Sequence, residues 1–278
     1  MGRGNGMLGA VASVAGDVGL RTLLVSETGP SVRITLNRPD RRNAIDPPLR
    51  DALAAAVAEA GDDAEVRGVV LTGAGGSFCS GGDLTRFDEL RDPRTYRHVS
   101  HRLTDLIESF ERLEKPVVAA IDGPVTGAGI ALALACDWRI GAPTARILFR
   151  EGRIGLVPTH GGMTRLVKLL GLARAKEVML GGEDYAGAGA VAAGLLTELA
   201  PSAEGLLDAA RGRVRKMLGR APLSFAAAKR LLQVAADIDL RSGQVVESLA
   251  QTALLQSEDH REGIAARRER REPDFKGT

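Results

Sequence analysis

The chain has 278 residues, 44% hydrophobic but only 3% aromatic, and its 37 basic and 35 acidic side chains leave a net charge of +2. That length can bury a sizeable core of Ala, Val and Leu, while the balanced charge and scarce aromatics give no footprint for a nucleic-acid partner. No apolar run reaches the roughly 18 residues of a membrane span, and two cysteines, Cys79 and Cys136, cannot form a disulfide framework and fit a reducing compartment such as the cytoplasm.

Residues 1–18 are expected to form a flexible tail. Arg3 followed by the weakly apolar Met7 to Ala15 loosely resembles a signal peptide, but that run is rich in Gly and Ala and has one cation. Three β-branched runs bounded by turn residues predict strands at Thr22 to Glu27, Val32 to Leu36 and Val66 to Leu71. Between the last two, the Ala-Leu segment Pro47 to Ala60 stops at Gly61-Asp62 and reads as a helix. A Gly-rich loop, Gly73 to Asp83, then closes a buried strand. Tyr96 to Leu113 has helical spacing and ends before Pro116.

Val117 to Ile121 is a further buried strand, followed by a second glycine turn and a helix from Gly127 to Ala135. Trp138 to Phe149 reads as paired strand material, and Gly161 to Gly171 and Arg174 to Gly181 as helices. From Ala203 onward the pattern is helical throughout, near 203–218, 222–236, 241–256 and 258–270. No fixed-period repeat is visible.

The two glycine turns share one arrangement. Val69-Val70-Leu71-Thr72-Gly73 leads to Phe78-Cys79-Ser80-Gly81-Gly82-Asp83, and Val118-Ala119-Ala120-Ile121-Asp122-Gly123 leads to Gly127-Ala128-Gly129. Glycine lets a backbone approach a ligand closely, and a helix start offers free N–H groups. Two such turns can aim two donors at one oxygen, an oxyanion hole, or simply allow close packing. Neither turn has the Gly-Lys-Ser/Thr ending of a phosphate loop, and the dinucleotide fingerprint is absent.

Ordered motifs resolve that choice. Ile34-Thr35-Leu36-Asn37-Arg38-Pro39, continued by Arg42-Asn43-Ala44, resembles the opening motif of the crotonase (enoyl-CoA hydratase/isomerase) superfamily. Phe78 to Leu84 resembles its first oxyanion loop, and Lys115 to Gly123, through Cys136-Asp137, its second. Ile154 to Pro158 with Gly161-Gly162 and Arg165-Leu166 is similar to its next signature. Ser257 to Gly263 and Phe275-Lys276-Gly277 complete the match, which spans about residues 20 to 277.

The resemblance implies an α/β fold: a spiral core of ββα turns, set at 19–200, with a C-terminal helical region at 201–278 that packs homotrimers or dimers of trimers. It implies coenzyme A thioester substrates, with no metal, no permanently bound cofactor and no nucleic-acid or membrane partner. The thioester oxygen would lie between the backbone N–H groups of Gly82 and Ala128. Family hydratases hold a water between two glutamates. One aligns with Glu151, but the other position is occupied by Ala131.

A single base suffices to move a double bond, so the pattern favours an isomerase over an enoyl-CoA hydratase (a lyase of fatty-acid β-oxidation). A non-catalytic acyl-CoA-binding homologue is the remaining class. Substrate contacts are expected from Ser80, Gly81, Asp83, Leu84, Gly127 and Pro158, with Ala44 and Gly81 offering backbone groups to the nucleotide end. Arg41, Arg42, Phe275 and Lys276 would meet coenzyme A, and surface charge explains the three cations nearly as well. His160 lines the acyl pocket, assists proton transfer or caps a helix. The alternative reading of Glu151 is a carboxylate paired with Arg150 or Arg153. Cys79 and Cys136 read as small buried residues.

Overall fold

A computed structural model describes residues 22–278, so the expected tail at 1–18 lies outside the described residues. Strands β1 (Leu23–Thr28) and β2 (Ser31–Leu36) form an antiparallel hairpin. From there the chain adds parallel strands: β3 (Gly68–Gly73) beside β2, and β4 (Val117–Ile121) beside β3. Helix α1 (Pro47–Asp62) makes the first crossover and α2 (Pro93–Arg112) the second. Strands β6 (Trp138–Gly141) and β9 (Glu198–Leu199) complete a six-stranded sheet of order β1-β2-β3-β4-β6-β9.

The central strands are buried on both faces, which is why they read as unbroken apolar runs. Side chains alternate across the sheet. Val69, Leu71, Val117, Ala119 and Ile121 join one core with Leu49 and Leu53 of α1 and Ile107 and Phe110 of α2. Val70, Val118 and Ala120 point the other way. They meet Leu206, Ala210 and Val214, spaced four apart along α7 (Leu206–Leu218). Burying a side chain such as Phe110, which has no exposed surface, contributes about 3 kcal/mol at most.

Side chains fix the helix ends. Asp46 caps α1 through Leu49 N–H at 2.9 Å. The Lys115 ammonium closes its other end by donating to the carbonyls of Ala60, Gly61 and Asp63 at 2.7–2.9 Å. Helix α2 begins at Pro93 rather than Tyr96 because Asp92 caps Thr95 N–H at 2.7 Å and Pro93 suits the first turn.

A second, three-stranded sheet has the order β5-β7-β8: β5 (Pro124–Thr126), β7 (Arg146–Leu148) and β8 (Tyr185–Ala186). The segment Trp138 to Phe149, expected as paired strand material, supplies one strand to each sheet. A turn bonded from Ala145 N–H to Ala142 C=O diverts the chain, so β6 pairs with β4 and β7 with β5. Helix α3 (Ala128–Leu134) follows β5. Helices α4 (Gly162–Leu170) and α5 (Leu172–Leu180) lie near their expected bounds, and α6 (Gly187–Ala192) was not anticipated.

Three helices follow α7: α8 (Pro222–Ala235), α9 (Leu240–Leu254) and α10 (Glu258–Glu269). Buried Lys229 ties α8 to the end of α2 and to the segments leading into β4 and β6, donating to Phe110 C=O at 2.9 Å, Lys115 C=O at 3.2 Å and Asp137 at 2.9 Å. Among the described residues no helix is long and apolar enough to cross a membrane. The mixed α/β architecture with its C-terminal helices is the fold class that the resemblance implies.

Candidate active site

The two glycine turns are held face to face. Phe78 N–H donates to Pro124 C=O at 3.2 Å and Thr126 N–H to Cys79 C=O at 3.0 Å, so the loop after β3 runs as a short strand along β5. Gly129, in α3, sits so close to this segment that a Cβ there would lie 2.5 Å from the Cys79 carbonyl oxygen. Gly81 has φ +89°, and its Cβ would lie 3.1 Å from Ala128 N and 3.2 Å from Gly127 Cα. Only glycine meets both the dihedral and the contact.

This packing brings the expected donors together. Gly82 forms a parallel bridge with Ile45: Ile45 N–H donates to Gly81 C=O at 2.7 Å and Asp83 N–H to Ile45 C=O at 3.2 Å. Strand alternation turns the Gly82 N–H to the opposite side. It has no hydrogen-bond acceptor among the described residues. The Ala128 N–H opens α3 and has none either, as expected for the first residue of a helix. The Phe87 ring covers Gly82, 3.5 Å from where a Cβ would stand. The sequence had not singled Phe87 out.

Glu151 starts the 3-10 turn Glu151–Ile154 just after β7. It is 8% exposed, and neither carboxylate oxygen has a hydrogen-bond partner. Burial pushes its carboxyl above the ordinary range, opposed only in part by the peptide N–H groups of Glu151 and Arg150. The salt-bridge alternative is not what the structure contains. Arg150 pairs with Asp184, which also takes Arg146 at 2.8 Å, and no ion pair joins Arg153 to Glu151. Ala131, 1% exposed, brings no carboxylate and instead packs against Gly162.

His160 occupies the turn between Pro158 and Gly162 with a left-handed φ of +56°. Its Nδ1 lies 2.7 Å from Thr159 Oγ1, and its carbonyl accepts from Arg165 Nη1 at 2.8 Å. Arg165 is itself clamped by Glu111 at 2.5 and 2.7 Å. Burial, then the Arg165 cation, pushes the His160 pKa down to about 4. Pro158 abuts Gly162, 3.5 Å from where a Cβ would be.

Several expected nucleotide-end residues also border the first turn. Ser80 N–H donates to Arg42 C=O at 3.0 Å and Ser80 Oγ to Arg41 C=O at 3.2 Å. Ala44 directs its carbonyl to Arg38 at 2.6 Å. Asp83 accepts from Thr85 Oγ1 at 2.7 Å and Arg38 at 3.1 Å, and Leu84 is exposed. The tail residues lie elsewhere. Phe275 packs on Gly263, Lys276 Nζ pairs with Asp274 at 2.7 Å, and the N–H groups of Lys276 and Gly277 donate to Asp259 at 2.7 and 2.9 Å. No hydrogen bond or ion pair among the described residues links this tail to either glycine turn. Burial pushes the thiols of Cys79 and Cys136 up to about 12, so neither is a thiolate at neutral pH.

Sequence reasoning quoted Arg38 and Asn43 within a motif but gave neither a role. Asn43 is fully buried and donates to Ala74 C=O at 2.9 Å and Ser77 C=O at 2.6 Å, while its Oδ1 accepts from Arg38 N–H at 2.9 Å. It braces the first glycine loop from beneath. No local signal marked it: the sequence around Asn43 has no glycine between Gly29 and Gly61, and the carbonyls that its buried amide needs come from 31 and 34 positions away.

Residues 29–278 match the family model described as enoyl-CoA hydratase/isomerase. The chain is 34% identical over 255 residues to the 2,3-dehydroadipyl-CoA hydratase of Escherichia coli (strain K12), covering 92% of this chain and 98% of that protein. It is 33% identical over 253 residues to an enoyl-CoA isomerase/hydratase of Mycosarcoma maydis, covering 88% and 92% respectively. The crystal structure of an enoyl-CoA hydratase from Bacillus anthracis superposes with a TM-score of 0.87 at 31% identity, over 93% of this chain and 100% of that one. With paired glycine turns, a buried glutamate and a match along nearly its whole described length, the chain belongs to the enoyl-CoA hydratase/isomerase family.

Proposed function

We propose that the protein is an acyl-CoA isomerase that moves the double bond of a 3-enoyl-CoA into conjugation with the thioester. Glu151 is the single acid/base. Its carboxylate takes a proton from the α-carbon, the electrons flow into a dienolate, and the same carboxyl returns the proton two carbons farther along. The N–H groups of Gly82 and Ala128 accept the charge that develops on the thioester oxygen. Donors fixed there favour the transition state over the ground state, and losing one typically costs on the order of 100-fold in rate.

The observation that carries this reading is the state of Glu151: both oxygens buried and without a partner, while Ala131 supplies no second carboxylate. A carboxylate deprived of solvent and counterion is a stronger base and is poised nearer neutral pH. Hydration needs base help at the water and acid help at the α-carbon, and one carboxyl serves both less well.

Supporting roles follow from position. Ser80, Gly81, Asp83, Leu84 and Gly127, adjacent in sequence to the donors, would contact the substrate, Pro158 and His160 would line the acyl end, and Arg42 and Ala44 would meet the nucleotide. Phe275 and Lys276 reach coenzyme A only from another part of the fold or of an assembly. Exposed Leu240, Val245 and Leu249 on α9 offer an apolar face that a homotrimer or a dimer of trimers would cover. Two free, buried cysteines suit the cytoplasm.

The test follows the ultraviolet band of the conjugated thioester with a 3-enoyl-CoA and, separately, with crotonyl-CoA, with Glu151→Gln beside the native protein. A band that rises with the 3-enoyl-CoA and is absent in the variant supports the isomerase. A band that falls with crotonyl-CoA and does not rise with the 3-enoyl-CoA makes the protein a hydratase. No change with either points to a binding homologue.

A further inference from the structure

Arg38 lies outside the reacting centre yet joins three segments that frame it. Its side chain is 16% exposed. Nη1 donates to Ala44 C=O at 2.6 Å, while Nη2 stands 3.1 Å from Asp83 Oδ2 and 3.2 Å from Asp46 Oδ2. The other oxygen of each carboxylate is engaged too: Asp46 Oδ1 caps α1, and Asp83 Oδ1 accepts from Thr85. One planar fork thus connects the start of α1, the turn carrying Ala44 and the loop carrying Gly82, a geometry a point-charge ammonium cannot reproduce.

The turn that Arg38 holds is an unusual one. Arg42 and Asn43 both have left-handed backbones, φ +49° and +58°, although neither is glycine. Such conformations persist where surrounding bonds over-determine them, and they cluster at functional sites. Here the bonds are the Arg38 fork and the buried Asn43 amide. The turn delivers Ile45 into register with Gly82, and that bridge consumes the Gly81 carbonyl and the Asp83 N–H. Asp83, the residue after Gly82, is therefore held twice, by its backbone to Ile45 and by its side chain to Arg38.

We propose that Arg38 is a positioning residue for the Gly82 N–H donor: by bridging Asp46 and Asp83 it fixes the peptide plane that faces the thioester oxygen. The proposal rests on the oxyanion reading of Gly82 and Ala128. Without the guanidinium, two carboxylates face each other across the gap. The loop then moves away from α1, and the donor swings off its target with the binding surface otherwise intact.

The test uses acetoacetyl-CoA, whose enolate has its own near-ultraviolet band and forms by loss of a proton to solvent, with no turnover. The full chain is compared with Arg38→Gln and Asp83→Asn. Asp83→Asn leaves the α1 cap alone and so tests the link even if Arg38→Gln does not fold. The expected result is a strong enolate band in the native protein, a weakened band in both variants, and kcat lower by roughly 10- to 100-fold, up to the loss of one donor, with KM changed by less than about threefold. A native protein that binds acetoacetyl-CoA without an enolate band overturns the oxyanion hole and this proposal with it. A native band that persists in both variants overturns the positioning role alone, as does a raised KM with kcat unchanged.

Discussion

Gly162 packs its backbone against Ala131 so closely that a Cβ on Gly162 would stand 3.3 Å from the Ala131 Cβ and 3.5 Å from that of Pro158. Position 131 is thus sealed by the start of α4, where family hydratases would place a second glutamate. Restoring that carboxylate as Ala131→Glu is expected to raise crotonyl-CoA hydration at least ~10-fold over the native protein, because water activation gains a general base. Isomerisation is expected to fall as the two acids compete. A folded variant with unchanged hydration would show that the missing glutamate is not what sets the chemistry.

Glu151→Gln separates activity from stability. Activity is expected to fall by roughly 100-fold or more, the usual worth of a positioned acid/base. Stability at neutral pH should rise. The folded protein holds this carboxyl above its ordinary value of 4.5, so the native side chain costs nothing below that value. Above it the unfolded chain ionises while the folded one stays protonated, so stability is lost as pH rises until the folded value is passed and is constant beyond it. Thermal denaturation of both proteins across the acid-to-neutral range should show curves that coincide near pH 4 and diverge upward, with the variant more stable. Curves that stay parallel would mean that Glu151 is solvated.

Gly82, Ala128 and Glu151, the proposed donors and base, were legible as candidates because they sit in contiguous motifs that carry the family resemblance. The roles of Asn43 and Arg38 were not, since partners of each lie far away in sequence: Arg38 meets Asp83 across 45 positions and Asn43 meets Ser77 across 34. A charge or an amide in a turn reads as surface polarity until the fold brings carbonyls and carboxylates to it. The same limit explains Trp138 to Phe149. The segment reads as paired strand material, but only the fold gives its two strands their separate parallel partners, β4 and β5. Strands of two residues, such as β8 and β9, carry too few side chains for any period.

His160 should titrate well below neutrality. With its pKa held at about 4 against an ordinary 6.5, the unfolded chain takes up the proton first. Stability from this residue is present above pH 6.5 and is lost as pH falls towards 4. His160→Asn tolerates the left-handed backbone, removes the titration, and should lose less stability than the native protein between pH 6.5 and 4.5. The native pH–rate profile should show no inflection between 5 and 8 that disappears in this variant. Such an inflection would mean that His160 is exposed to water and takes part as a charged acid.

Gly81→Ala tests the contact between the two turns directly. The new methyl would stand 3.1 Å from Ala128 N and 3.2 Å from Thr126 O, with φ at +89°. Backbone atoms cannot give way as a flexible side chain would, so the turns must part and one donor leaves its target. The expected loss is on the order of 100-fold in kcat, larger than the accompanying change in KM. Gly76→Ala is the control: φ is +71°, but nothing lies within 4 Å of the added methyl. It should cost about 1–2 kcal/mol of backbone strain in a denaturant titration and leave kcat within about twofold, far short of the loss of a single donor. Equal losses of kcat in the two variants would assign the effect to strain in the loop, and the close approach of Gly81 to Ala128 would have no part in the rate.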